Sequence, residues 1–95
     1  MIEILTGDIL HKEPGKVVIN CGGIGFSVFI SSHTYSSLVD TGKKQTLFTF
    51  FKVREDEMSL YGFSDKKEKE LFLELSSVSG IGARTAIQIL SEIKY

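Results

Sequence analysis

Val78-Ser79-Gly80-Ile81-Gly82-Ala83-Arg84-Thr85-Ala86 is the stretch that decides how this chain is read. Helical patterns lie on both sides of it, Glu68 to Ser77 before and Ala83 to Lys94 after. Two helices joined by so few residues form an αα-hairpin. Gly80 and Gly82 are expected to make the turn, because glycine reaches positive φ without a Cβ clash. Such a turn brings the free N–H groups of the second helix's first turn to one place, where the helix dipole adds partial positive charge. Arg84 adds a full charge beside them. The backbone of Val78, Ser79, Gly80, Ile81 and Gly82, with Arg84, is therefore a candidate clamp for a phosphate of a nucleic-acid backbone.

Two other uses of paired glycines are excluded. A dinucleotide-binding fingerprint needs G-x-G-x-x-G after a strand, whereas here Thr85 stands in the third place and a helix comes first. A P-loop needs Gly-Lys-Ser/Thr after four spacers, and no such run occurs. A glycine turn that only joins two helices stays open beside the phosphate clamp.

Working back from the hairpin, residues 1–63 read as strands. Met1 to His11 is a first strand interrupted by Gly7, and a glycine inside a strand marks a bulge or a barrel bend. Lys12-Glu13-Pro14-Gly15 is a turn. Lys16 to Cys21 and Ile24 to Ser31 are joined through Gly22-Gly23, with Ile24, Phe26, Val28 and Ile30 on one face at period 2. Gly23-Ile24-Gly25 repeats the letters of Gly80-Ile81-Gly82, but with strand on both sides it is a hairpin turn. Ser32 or Thr34 is expected to cap a short helix carrying Tyr35, Leu38 and Val39. In Gln45 to Arg54, Leu47, Thr49, Phe51 and Val53 share one face, and Phe48, Phe50, Lys52 and Arg54 the other. Glu55-Asp56-Glu57 is a charged turn into Met58 to Phe63, where Leu60 and Tyr61 face opposite ways. Five short strands with a helix between the third and fourth match the oligonucleotide-binding (OB) barrel better than an SH3-like barrel. Phe26, Phe29, Phe48, Phe50 and Phe51 are candidates for base stacking, though in so small a barrel most Phe side chains are expected in the core. Phe48 and Phe50 are the two expected at an interface.

The division expected is a barrel over 1–63 and a helical hairpin over 64–95. Ser64 or Asp65 caps the first helix, and Asp65 with Glu68 resembles a capping box. Leu71, Phe72, Leu75 and Val78 form its apolar stripe, and Ala86, Ile87, Leu90 and Ile93 that of the second helix. Lys66, Lys67 and Lys69 alternate with Glu68, Glu70 and Glu74, which reads as a solvated, self-compensating face.

Composition narrows the function. The chain has 95 residues, a hydrophobic content of 42% and a formal charge of −1. That suits one compact domain or two very small ones. Residues 1–63 hold 6 Lys/Arg against 7 Asp/Glu, and residues 64–95 hold 5 of each, so neither part is a basic arm. Contact with DNA would have to come from local geometry and not from a global positive field. A single cysteine, Cys21, excludes an intrachain disulfide and is expected to be a small buried apolar residue. His11 and His33 lie far apart, and no group has metal-ligand spacing. No signal peptide or membrane span is evident, so a soluble, cytoplasmic chain is expected.

Val53-Arg54-Glu55-Asp56 followed by Leu60-Tyr61-Gly62-Phe63, then Val78-Ser79-Gly80-Ile81-Gly82, resembles the N-terminal part of the RuvA family of Holliday-junction-binding proteins. Met1-Ile2, Leu5, Gly7 and Gly23-Ile24-Gly25-Phe26 fit as well, and the likeness covers essentially the whole chain. The resemblance implies an OB barrel followed by a helix-hairpin-helix unit. It also implies a homotetramer that holds four-way junction DNA flat, with hairpins gripping the duplex backbone through main-chain N–H groups. By the same resemblance Glu55 and Asp56 correspond to an acidic pair at the junction centre. The family's partner is the RuvB motor ATPase; the junction-binding subunit is not the ATPase and needs no cofactor or metal. The family also carries a second hairpin and a third domain that binds the motor. This chain stops at Tyr95, so motor binding is expected to lie outside it. Glu3 stands where the family often has glycine.

Two further classes remain for comparison. An enzyme of the glycosylase or ligase type needs a catalytic Asp or Lys in a pocket beyond the hairpin, and too little chain follows Gly82 to build one; no Ser-His-Asp or Cys-His constellation is present either. A protein-interaction module would use the barrel surface and leave the glycine turn purely structural.

Overall fold

The computed structural model describes residues 1–93. Five strands form a closed barrel: β1 (Ile4–Glu13), β2 (Lys16–Cys21), β3 (Ile24–Phe29), β4 (Lys44–Arg54) and β5 (Glu57–Phe63), in the order β1-β2-β3-β5-β4. All neighbours are antiparallel except β3 and β5, which pair in parallel through Val28–Leu60 and Phe29–Tyr61. A short helix, α1 (Ser32–Ser37), lies between β3 and β4. This is the OB arrangement, and α2 (Lys66–Ser76) and α3 (Ala83–Glu92) follow it as the helical hairpin. The expected last residue of the second helix, Lys94, lies outside the described residues.

β1 serves two partners. Its first half pairs with β4 and its second half with β2, so it must bend. The register slip falls between Ile9 and His11, not at Gly7, and the extra residue, Leu10, points outward and is 52% exposed. Gly7 has a different purpose. A Cβ there would sit 2.0 Å from the Asn20 carbonyl oxygen, so only glycine lets β1 approach β2 this closely. β1 also starts later and ends later than expected, since Lys12 and Glu13 pair with Val17 and Lys16, leaving Pro14–Gly15 as the turn.

The alternation of side chains builds two cores. Leu5, Ile9, Val17, Ile19, Val28, Ile30, Leu47 and Leu60 fill the barrel, closed at one end by Leu38 of the segment after α1. Phe26 and Phe51 pack against this core. Ile24 and Val53, at the far ends of their strands, are exposed despite lying in the same period-2 pattern. Cys21 is half-buried at the rim, and burial pushes its thiol pKa up. The second core lies outside the barrel wall. Tyr61 and Phe63 of β5 meet Phe72 of α2 and Ala83, Ala86 and Leu90 of α3, with Phe29 and Phe50 at its edges. Phe72 sits at the centre, its ring centroid 4.9 Å from Phe63, 5.5 Å from Tyr61 and 5.6 Å from Phe50. Each such ring removes 150–250 Å² of surface, on the order of several kcal/mol of hydrophobic stabilisation together. Of the hairpin stripes, Val78 and Ile93 do not take part; they lie past the helix ends and are 52% and 40% exposed.

Polar contacts fasten the hairpin where the apolar core ends. Asp65 is the N-cap of α2 and accepts from the Glu68 N–H at 2.7 Å, but Glu68 does not complete a capping box. Its side chain turns inward and is fully buried, contrary to the solvated Lys/Glu face expected for this helix. One carboxylate oxygen accepts from the Ser31 hydroxyl and the other from Thr34 Oγ1 at 2.7 Å. Ser31, not Ser32 or Thr34, caps α1, and its hydroxyl also accepts from the Thr34 N–H. Thr34 Oγ1 in turn accepts from the Ser64 N–H at 3.1 Å. Every hydroxyl is used as donor and acceptor, which is what a buried carboxylate requires. Ser32 donates two further bonds to Ser91, from its N–H to the hydroxyl and from its hydroxyl to the carbonyl, tying α1 to the end of α3. Glu3 pairs with Lys69 of α2 at 3.0 Å, giving the residue at that family glycine position a contact across the two parts.

Glu68→Ala should therefore destabilise the chain by about 3 kcal/mol, since a carboxylate that accepts from two buried hydroxyls is lost. Thermal unfolding should shift down on the order of 15 °C. Glu68→Gln should lose roughly half as much, because one hydroxyl can still donate to the amide oxygen. Calorimetry of both variants checks this.

Candidate nucleic-acid interface

The turn between α2 and α3 has one residue in the left-handed region, Gly80 with φ +87°. Gly82 differs from the expectation: it is the N-cap of α3 with extended backbone, φ −83° and ψ 174°, which any residue can adopt. A Cβ at Gly82 would meet nothing within 4 Å. What glycine provides there is the absence of a side chain. No side chain caps α3, so its first N–H groups are left for another acceptor. Val78, Ser79, Gly80 and Gly82 are exposed, while Ile81 is half-buried against the second core. Ile81 N–H bonds to the Val78 carbonyl at 3.0 Å and holds the turn closed.

The barrel brings charge to this turn. The face of β4 that carries Phe50 against α2 continues, two residues at a time, to Lys52 and Arg54. A cavity of about 170 Å³ lies between them and the turn, lined by Phe50, Lys52, Arg54, Ser76, Ile81, Gly82 and Ala83. Two basic side chains from the barrel thus share a space with the N-terminus of α3. Lys52 and Arg54 were not singled out for binding from sequence. Their period-2 relation to Phe50 was the available signal. Lys52 is partly neutralised by Glu57, Nζ to Oε1 3.6 Å. The Ser59 hydroxyl, then Lys52, hold the Glu57 carboxyl below its usual range.

Arg84 goes elsewhere. Its guanidinium lies over the Phe29 ring, 4.4 Å from the centroid, on the β3 side of the hairpin. It does not line the cavity that holds Lys52 and Arg54. The cross-strand rung Phe29–Tyr61–Phe50 runs beneath the hairpin, so the two basic groups flank one aromatic floor. Phe29 and Phe50 are therefore half-buried against the second core, with Arg84 over the Phe29 ring and Phe72 beside Phe50. Phe50 is at an interface, but an internal one. Phe48 lines a groove with Ile4 and Leu73 beside α2.

Glu55 and Asp56 form the two-residue tip of the β4–β5 ribbon, beyond the last rung, Arg54–Glu57. Both are exposed, and neither has positive φ. The second rung behind them, Val53–Met58, is also exposed, at 57% and 72%. The ribbon thus carries an acidic end and, one rung back on the face toward the hairpin, basic side chains. No cluster of His, Cys, Asp and Glu that could hold a metal is present among the described residues, and no helix among them is long and apolar enough to cross a membrane.

Comparison with known proteins agrees with this architecture. The model of the RuvA N-terminal domain matches residues 1–62. The chain is 45% identical over 91 residues to the Holliday junction branch migration complex subunit RuvA of Acidovorax ebreus (strain TPSY), covering 96% of this chain and 48% of that protein. It is 46% identical over 91 residues to the subunit of the same name from Francisella tularensis subsp. novicida (strain U112), covering 96% of this chain and 42% of that protein. The chain spans about half the length of the curated relatives it matches. A family model over more than half of the residues, the closed five-stranded barrel and the attached hairpin lead to one conclusion: the chain belongs to the RuvA N-terminal domain family.

Proposed function

We propose that this chain is the DNA-gripping part of a junction-binding subunit in a branch-migration complex. The observation that carries the reading is the uncapped N-terminus of α3 facing Lys52 and Arg54 across one cavity. Main-chain N–H groups with two cations make a site for a backbone phosphate, which needs no base contact. In this reading residues 1–63 supply the basic and acidic ribbon, and residues 64–95 supply the N–H groups of the Val78–Gly82 turn other than those of Val78 and Ile81, which bond to the Leu75 and Val78 carbonyls. Arg84 supports the grip from the other flank. The family names the subunit for Holliday junctions, so four-way DNA is the proposed ligand. A homotetramer would present four hairpins to the four arms, and the RuvB motor would supply the ATP-driven step through parts of the protein outside this chain. No catalytic role is assigned to any residue here. The proposed setting is the cytoplasm, where bacterial chromosomes lie.

Glu55 and Asp56 fit this function by repulsion. A carboxylate pair on a DNA-facing ribbon disfavours a phosphate backbone that crosses it. At the point where strands exchange, that disfavours continuous duplex and favours strands directed outward. The repulsion is short-ranged, the Debye length being about 10 Å at 0.1 M salt.

The salt dependence of junction binding separates this reading from a barrel that only binds protein. Arg54→Ala and Arg84→Ala should each reduce the slope of log K against log salt by ~1, equally for unrelated base sequences. A protein-only module would show no slope in the parent chain. Glu55→Gln combined with Asp56→Asn should raise affinity for plain duplex more than for junction, and this narrowing should shrink as salt rises. Unchanged junction-to-duplex ratios in gel-shift titrations would make the pair a plain polar turn.

A further inference from the structure

Tyr61 is completely buried, and its hydroxyl makes no hydrogen bond of good geometry among the described residues, with Arg84 and Ser59 the polar groups close to it. Buried hydroxyls without partners are uncommon, because the group has given up water and received nothing in return. Tyr61 stacks on Phe72 and packs against Phe29, so the ring would be held as well by phenylalanine. The hydroxyl itself lies in the neighbourhood of Ser59 and Arg84, and burial raises its pKa, with Glu57 adding to the rise and Arg84 opposing it. It is a proton donor throughout the neutral range.

A cavity of about 150 Å³ adjoins it, lined by Phe29, Tyr61, Arg84 and Gln88 among others. This is separate from the cavity that holds Lys52 and Arg54, with which it shares no lining residue. Its volume equals that of several waters at ~30 Å³ each, enough for a tetrahedral oxyanion. Arg84 is exposed, ion-pairs with no carboxylate among the described residues, and has its guanidinium carbon over the Phe29 ring. Stacking uses the face of a guanidinium and leaves its N–H edge free for oxygen acceptors. Gln88, one turn further along the same face of α3, brings an amide that can also donate.

We propose that Tyr61, Arg84 and Gln88 form an oxyanion subsite that takes a second backbone phosphate, distinct from the one held at the N-terminus of α3. The inference rests on the DNA-binding reading and deepens it. Arg84 supplies the charge, the Tyr61 hydroxyl donates to one phosphate oxygen, and the Phe29 ring holds the guanidinium in place. Two subsites, one at the N-terminus of α3 and one beside Arg84 and Gln88 of the same helix, would set the direction in which a strand crosses the hairpin, which a single phosphate contact does not do.

The test is Tyr61→Phe, which removes one oxygen and keeps the ring. Its melting temperature should equal or exceed that of the parent chain, since an unpartnered polar atom is lost. Its affinity for junction and duplex DNA should fall at least about ten-fold, the value of one hydrogen bond to a charged acceptor, with the salt slope unchanged because no charge is removed. Inorganic phosphate should shift the Arg84 side-chain NMR signals in the parent chain and do so more weakly in Tyr61→Phe. DNA affinity equal to the parent's overturns the subsite, whether or not free phosphate binds there. So does a DNA-binding loss accompanied by a lowered melting temperature. If the parent chain itself fails to bind DNA, the DNA reading falls, and that outcome is distinct from a difference between the two proteins.

Discussion

The buried Glu68 carboxylate is the contact on which the working surface depends. It joins α2 to the N-cap of α1, and hence the hairpin to the barrel, through two hydroxyls that have no other donor use. A buried carboxylate is tolerated only where its acceptors are filled, so the geometry of Ser31, Thr34 and Ser64 around it is tightly constrained. The apolar contact between Phe72 and the barrel wall supplies most of the binding energy between the two parts. Aromatic packing alone permits rotation and sliding, whereas a saturated hydrogen-bond cluster permits one arrangement. The two bonds that Ser32 donates to Ser91 fix the opposite end of the hairpin.

This arrangement converts a nearly neutral chain into a surface with local charge order. The outer wall of β3, β5 and β4 is covered by the chain's own helices. Its aromatic rung becomes a floor for the hairpin turn. Cations then emerge on both flanks, Lys52 and Arg54 on one and Arg84 on the other, while the carboxylates of Glu55 and Asp56 are displaced to the ribbon tip. The net charge of −1 carries no sign of this, because the relevant quantity is which charges share a cavity with free N–H groups.

The barrel was legible because its strands obey a period of two and its turns carry Gly and Pro. Leu47 and Thr49 against Phe48 and Phe50, or Leu60 against Tyr61, were assigned to the correct faces from alternation alone. Strand ends were less legible: β1 outlasts its pattern because pairing with β2 continues through Lys12 and Glu13. Glu68 was misread for a definite reason. On a helix with Lys at 66, 67 and 69, a Glu reads as one more exposed charge, and only tertiary contact with a serine and a threonine more than thirty residues away reverses that. The positive φ was correctly expected for Gly80 and not for Gly82, since sequence does not reveal which glycine of a pair bends the chain and which leaves room. Arg84 was placed at the hairpin by spacing, but its direction depends on Phe29, which no local pattern discloses.

The central claim is that barrel and hairpin act as one rigid body, with the α3 N-terminus held against the β4–β5 ribbon. Residual dipolar couplings of backbone N–H pairs test it directly. A single alignment tensor should fit β1–β5 and α2–α3 together in the parent chain, and Glu68→Ala should require two. If the parent chain already needs separate tensors for the barrel and the hairpin, the two parts move independently, and the shared cavity is not a fixed site.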